Sequence, residues 1–209
     1  MSKRGEDRRE KILDVAQASI LQKGFSATSI EEILEKAHIT KGGFFYHFPG
    51  KSELARALVE RYLRDDMVFF DTLERRAREL SDDPLQQMLL FINLLAEAME
   101  NLEDVHPGCL VASFTYESQL LDEDIKALIA TGTLQWREKF AGMLARIEES
   151  HRANLEVDHD EVADMLSATI EGGIILSRVM ADKALLVQQL KQYRNYIKLM
   201  YTPAAGVLA

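Results

Sequence analysis

The sequence predicts an all-α fold, and three observations carry that prediction. Apolar residues recur at spacings of three and four along nearly the whole chain, no run alternates apolar with polar residues over a strand's length, and only four prolines interrupt the 209 residues. The pattern resolves into about nine helices, a small N-terminal group of three followed by a larger helical body.

The first helix is expected from Glu6 to Lys23, with Ile12, Ala16, Ser19 and Ile20 on one face and Gly24 placed to stop it. The second starts after Thr28. There Thr28-Ser-Ile-Glu31 has the spacing of a capping box, in which the threonine oxygen takes the Glu31 amide and the Glu31 side chain returns to the Thr28 amide. Ile30, Ile33, Leu34 and Ala37 give this helix an apolar stripe, and at such a length it depends on packing against the first. A three-residue turn over 37–39 leads to Thr40 as the next cap and to Lys41-Gly-Gly-Phe-Phe-Tyr-His-Phe48, so that two short helices meet as a helix-turn-helix. Pro49-Gly50 breaks the chain. One long helix is expected from Lys51 to about Leu80, and Asp83-Pro84 opens another, to about Asn101, with an acidic cap and a proline in its first turn. After the loop at His106-Pro-Gly108, helices are expected over Cys109–Leu121, Glu123–Ser150, His159–Val179 and Lys183–Tyr201.

Composition narrows the function. The single cysteine, Cys109, rules out an intramolecular disulfide and fits a reducing cytoplasm. Met1 to Arg9 is polar and charged, and no stretch approaches the ~18 apolar residues that span a bilayer, so an unexported, cytoplasmic protein without a membrane partner is expected. No Gly-rich phosphate loop occurs, His151 and His159 are too far apart for one helical face, and Cys109 with His106 lacks an orienting partner for nucleophilic catalysis. We expect no enzyme, no cofactor and no metal. The net charge of -9 and pI near 5.1 argue against a general nucleic-acid binder. Residues 1–51, however, hold nine Lys/Arg against seven Asp/Glu, a net of +2 that leaves -11 for the remainder. A local basic head on an acidic body orients a molecule on a duplex; scatter among solvated helix faces is the other reading.

Lys41, Tyr46, His47 and Lys51 put four polar or cationic groups within eleven residues, beside two adjacent glycines. Gly42 and Gly43 each cost about 1 kcal/mol of helix propensity, which close approach of the backbone to phosphate or groove floor would offset; close helix packing is the alternative. The stretch Ala37-His-Ile-Thr-Lys-Gly-Gly-Phe-Phe-Tyr-His-Phe-Pro-Gly-Lys-Ser-Glu-Leu54 closely resembles the recognition-helix signature of the TetR family of transcriptional regulators. Ile12-Leu-Asp-Val-Ala16, Gly24-Phe25 and Thr28-Ser-Ile-Glu-Glu-Ile33 fit that family's first two helices, so the resemblance covers about residues 8–58. Carried over position by position, it implies phosphate contacts from Thr28, Thr40, Tyr46, His47 and Lys51, and base contacts in the major groove from Lys41, Gly42 and Gly43. A capping or packing histidine and a solvated lysine are the other readings of His47 and Lys51, and Phe44 and Phe48 belong to the core. Two positions depart from the signature. His38 stands where the family has glycine, which implies positive φ in the turn, and Phe45 stands where it has tyrosine, which leaves only an apolar contact with a thymine methyl. Lys3 and Arg4, ahead of the first helix, are either an arm toward the minor groove or a solvated tail.

The resemblance implies double-stranded operator DNA as partner, a homodimer, and a head over 1–50 with an effector-binding and dimerising domain over 51–209. Val162, Leu166, Ile170 and Ile174 on one late helix, and Leu186, Leu190, Tyr193 and Ile197 on the next, are more apolar than one chain's core needs. In the family such helices pair with their symmetry mates, and Gly172 and Gly173 would let them approach; packing within one chain is the alternative. A small-molecule effector pocket is expected among the middle helices, lined by Phe69, Phe91, Phe114, Tyr116 and Trp136 with polar groups such as His106 and Glu117, each aromatic reading also as plain core. Cys109, at a helix start where the dipole favours thiolate, is similar to the arrangement in electrophile-sensing members, while an inert buried thiol is the other reading. A repressor released by such an effector is expected, with a constitutive DNA-binding protein as the alternative.

Overall fold

The computed structural model describes residues 3–202, with side chains from Gly5 onward. Among these residues are nine α-helices and no strand: α1 (Lys3–Lys23), α2 (Ile30–Ala37), α3 (Lys41–His47), α4 (Lys51–Leu80), α5 (Pro84–Glu100), α6 (Leu110–Tyr116), α7 (Glu123–Glu148), α8 (His159–Met180) and α9 (Ala184–Tyr201). The all-α expectation holds. The helix expected over Cys109–Leu121 is two pieces, because α6 stops at Tyr116 and a single 3-10 turn follows at Ser118–Leu120. Helix α1 begins at Lys3, so Lys3 and Arg4 are part of it rather than ahead of it; their side chains lie outside the described residues.

The chain forms two compact units, neither of them one continuous stretch: Met1–Asp65 with Pro107–Gly132, and Asp66–His106 with Thr133–Ala209. In the first, Ile12, Leu13, Ala16, Phe25, Ile33, Ala37, Phe44, Phe48, Leu54 and Leu58 are buried and form the core. Each large side chain so buried is worth about 1.5–3 kcal/mol, which is what holds helices as short as α2 and α3. The cap of α2 is shifted by one residue from its expected place, and no capping box closes. Ser29 is the cap of α2 and accepts the Glu32 amide at 3.2 Å, while Thr28 is buried and its hydroxyl donates to the Gly24 carbonyl at 2.9 Å. The Glu32 carboxylate does not return to the cap. It bonds Lys23 and Lys36, which pull its pKa down to about 2. His38 ends α2 in the left-handed region at φ 54°, as the resemblance implied by placing it where the family has glycine.

Arg61 joins α4 to α1. It is 9% exposed, and its guanidinium donates to Glu10 at 3.1 Å, Asp14 at 2.7 Å and Gln17 at 2.8 Å, three residues on one face of α1. On the later segment of the same unit, Asp122 caps α7 by accepting the Ile125 amide and also takes the Ser52 hydroxyl, and Asp124 pairs with Arg56. These carboxylates tie the beginning of α7 to the beginning of α4.

The second unit is built on α5, α8 and α9. Asp83 caps α5 through the Leu85 and Gln86 amides with Pro84 in the first turn, as expected. Leu85, Met88, Leu89, Phe91, Ile92 and Leu95 are buried along its length. Phe70, Phe91 and Phe140 form a ring cluster with centroids 5.2–6.3 Å apart. Gly173 allows α8 to meet α9, since a Cβ there would lie 2.7 Å from Leu186 Cδ1, and the buried Tyr193 hydroxyl donates to the Val162 carbonyl at 2.9 Å. Ala181 terminates α8 at φ 51°, a conformation in which alanine is strained.

Candidate nucleic-acid interface

Helix α3 divides its side chains cleanly. Phe44 and Phe48 face inward with ring centroids 5.8 Å apart, as expected, and anchor the helix in the core. Thr40 caps it by accepting the Gly43 amide at 3.1 Å. That leaves Thr40, Lys41, Gly42, Phe45 and Tyr46 exposed together, with Phe45 42% and Tyr46 74% accessible. The Lys41 ammonium lies 6.0 Å from the centroid of the Phe45 ring. A Cβ on Gly42 would meet nothing within 4 Å, and one on Gly43 only the Thr40 hydroxyl. Packing inside the chain therefore gives no reason for glycine at 42, and the space in front of it is open. Such a face, two adjacent aromatics and a lysine around bare backbone, can approach a polyanion closely.

The remaining expected contacts are placed less freely. Thr28 is fully buried with its hydroxyl committed to Gly24, so a phosphate contact through that side chain requires the bond to break. His47 is half-buried, its ring packed edge-on to Tyr46 at 4.9 Å and its Nδ1 buried without a partner among the described residues. Burial first, then the charges of Arg9 and Arg8, lower its pKa from the ordinary value, so the imidazole is neutral at pH 7. Lys51 is half-buried too: its ammonium donates to the Phe25 carbonyl at 2.5 Å and lies 4.3 Å from the Phe25 ring centroid. Burial lowers its pKa, opposed by the nearby Glu117 carboxylate.

The residues expected around an effector pocket fall in both units. In the first, Phe114 is core, 5.2 Å from the Phe25 ring and edge-on to it, Tyr116 is 74% exposed, and Glu117 is bonded to the Phe25 and Ser26 amides. Cys109 caps α6, its sulfur 3.4 Å from the Ala112 amide that it accepts. In the second, Phe91 is core, Phe69 and Trp136 are half-buried, and the Trp136 indole N–H is buried without a partner among the described residues. His106 is half-buried there, and burial with the Arg178 charge lowers its pKa. An open depression along Glu148–Val157 contains none of these residues.

Most of the expected dimer residues are also buried within the chain. Val162, Leu166, Gly173, Ile174, Leu186, Leu190, Tyr193 and Ile197 are buried inside the chain itself, because α8 and α9 turn their most apolar faces to one another and α9 packs on α5. Ile170 is half-buried, and Gly172 stays open, with nothing within 4 Å of a Cβ. A second apolar stripe, not singled out from the sequence, is exposed on α8 at Ile175, Leu176, Val179 and Met180, and Tyr196 and Leu199 are exposed separately on α9. Its signal was present in the spacing of those residues, overshadowed by the stronger inward stripe. Arg61 was also missed, although Glu10, Asp14 and Gln17 already marked one face of the first helix for a cation.

Comparison with known proteins agrees with this architecture. Residues 12–58 match the family model described as "Bacterial regulatory proteins, tetR family", and residues 84–193 match "Tetracyclin repressor-like, C-terminal domain". The HTH-type transcriptional regulator YxaF of Bacillus subtilis is 29% identical over 188 residues, 90% of this chain and 93% of that protein. The transcriptional regulator AcuR of Cereibacter sphaeroides is 26% identical over 160 residues, 77% of this chain and 71% of that protein. Among solved structures, a TetR-family regulator from Agrobacterium tumefaciens superposes with a TM-score of 0.79 at 22% identity, covering 95% of this chain and all of its own. E. coli NemR in its reduced form gives 0.74 at 20% identity over 96% and 100% of the two chains. The relatives are regulators of transcription, a non-enzymatic kind of function, and no described helix is long and apolar enough to cross a membrane. With the second family model alone spanning more than half of the residues and the first falling on the three N-terminal helices and the start of α4, the chain belongs to the TetR family of transcriptional regulators.

Proposed function

We propose that the protein is a dimeric, one-component repressor that binds a near-palindromic operator through α3 and leaves it when a small molecule or an electrophile binds. The exposed face of α3 carries this reading, above all Gly42, whose open Cβ direction no contact within the chain explains. Lys41, Gly42 and Gly43 would meet base edges, with Phe45 at a thymine methyl, and Thr40, Tyr46, His47 and Lys51 would set register on phosphates. Thr28 would help only after releasing Gly24. The head is assigned to residues 1–50 and the effector-binding and dimerising domain to 51–209.

Dimerisation is assigned to the exposed apolar stripe at the end of α8, Ile175, Leu176, Val179 and Met180, with Gly172 one turn before it, since clustered exposed apolar surface marks an association site. Two-fold pairing then presents two recognition helices to major-groove faces about 34 to 36 Å apart. For the effector, Cys109 is the candidate for covalent capture, and Phe69, Phe91, Trp136 and His106 for a non-covalent ligand. The cytoplasm is the expected place of action.

Selection from a random duplex pool tests the function directly, because a palindromic consensus is expected and recovery of no consensus refutes it. On the recovered duplex, Lys51→Ala should weaken binding to all sequences alike and lower the salt slope by roughly one, the mark of a single lost phosphate contact. Treatment with N-ethylmaleimide should release the wild type and not Cys109→Ser; release of neither removes the electrophile and leaves a non-covalent ligand or constitutive binding.

A further inference from the structure

The loop between α1 and α2 holds a carboxylate that base reading does not require. Gly24 stands at φ 92°, which suits a turn whose following amides converge on one point. Glu117 occupies that point from the end of α6: its Oε1 accepts the Phe25 amide at 2.6 Å and its Oε2 the Ser26 amide at 2.9 Å. No side chain fits beside it, since a Cβ on Gly24 would lie 2.6 Å from Oε1. The Ser26 hydroxyl, the two amides and the Lys51 charge outweigh burial and hold the Glu117 carboxyl below its ordinary pKa, so it is charged at neutral pH.

Phe25 is consequently gripped at both ends of its backbone. Glu117 takes its N–H, Lys51 donates to its carbonyl, and its ring rests between the Lys51 ammonium and Phe114. With one donor spent on Phe25, an ammonium keeps two for an incoming phosphate oxygen. Glu117 also opposes the effect of burial on Lys51, which would otherwise release its proton more easily.

We propose that Glu117 is a positioning residue for DNA binding: seated on the α1–α2 turn, it fixes Phe25 and through the Phe25 carbonyl holds Lys51 in place for the phosphate contact from which the head takes its register. This rests on the head being a DNA-binding unit. It makes the state of α6, whose seven residues separate Cys109 from Glu117, legible at that phosphate contact without disturbing any base-reading residue.

The test uses the full-length protein, the duplex recovered by selection, and the near-isosteric variant E117Q, with folding followed by circular dichroism. Affinity should fall about tenfold with base preference unchanged, a loss of the size expected for a charged hydrogen-bonded group. In the free protein the Phe25 and Ser26 amides should exchange with deuterium several-fold faster. In a Lys51→Met background the same substitution should change affinity less than about twofold, because the group it acts through is gone. Equal losses in both backgrounds, no loss in the first, or unchanged exchange at the two amides would each overturn the proposal. A wild-type chain that recovers no duplex fails at the earlier step and takes this role of Glu117 with it, whereas a wild type that binds and an E117Q that matches it sink only the positioning role.

Discussion

At the scale of single residues, His47 shows how a side chain can work against the fold and for the ligand. Its folded pKa is lowered by burial and by Arg9 and Arg8, so the unfolded chain takes up a proton near pH 6.5 that the folded head resists. Its contribution to stability is therefore present above about pH 6.5 and declines as pH falls below it. A phosphate beside the ring reverses the sign for binding, because the duplex favours the imidazolium and affinity strengthens as pH falls from 7.5 to 5.5. His47→Gln should flatten both dependences, measured by thermal melts and by fluorescence anisotropy on the recovered duplex; a pH response of binding unchanged in the variant would show that His47 does not face phosphate. His38 was legible in the same stretch through the resemblance, because it stands where the family signature has glycine, and φ 54° is found. Ser29 was not, because Thr28 and Ser29 both satisfy the spacing of a cap and only the burial of Thr28 decides between them.

Elements were legible where their punctuation is strong. Asp83-Pro84, Pro49-Gly50 and Gly24 end or begin helices as their chemistry dictates, whereas the end of α8 at Ala181 carries no stop signal in the sequence. Ala181→Gly should accordingly raise stability by about 1 kcal/mol, the penalty for a Cβ in the left-handed region, and a melt showing no gain would mean the helix end relaxes at no cost. The docking of α1 on α4 depends on Arg61, which is buried while its partners Glu10 and Asp14 are well exposed. Removing it frees those carboxylates to water rather than stranding them, so Arg61→Ala should cost about 1–2 kcal/mol, less than for a fully buried pair. Denaturant titration measures it, and a loss below the error of the method would make the cluster ornamental. The inward and outward faces of α8 and α9 could not be told apart from pattern, because both carry apolar residues at helical spacing and only the packing of α8 on α9 and of α9 on α5 assigns them.

At the scale of the molecule, charge and association follow from the same sequence. The remainder beyond residue 51 carries -11, so the body repels a duplex and binding should weaken with salt less steeply than a count of phosphate contacts alone implies. Val179→Glu, on the most exposed apolar position of α8, should yield monomers in light scattering and a large loss of operator affinity through lost avidity; a variant that remains dimeric would move the interface elsewhere. The interleaving of the two units along the chain bears on synthesis. A nascent polypeptide released through residue 65 already contains every candidate base-contacting group, yet the carboxylates of Glu117, Asp122 and Asp124 that complete the same unit are still to be translated. At ~5–20 residues per second several seconds separate the two events. Competence to bind an operator should thus arrive late on the ribosome, and fragments truncated by premature termination near residue 106 should make poor competitors for the sites that the finished protein occupies.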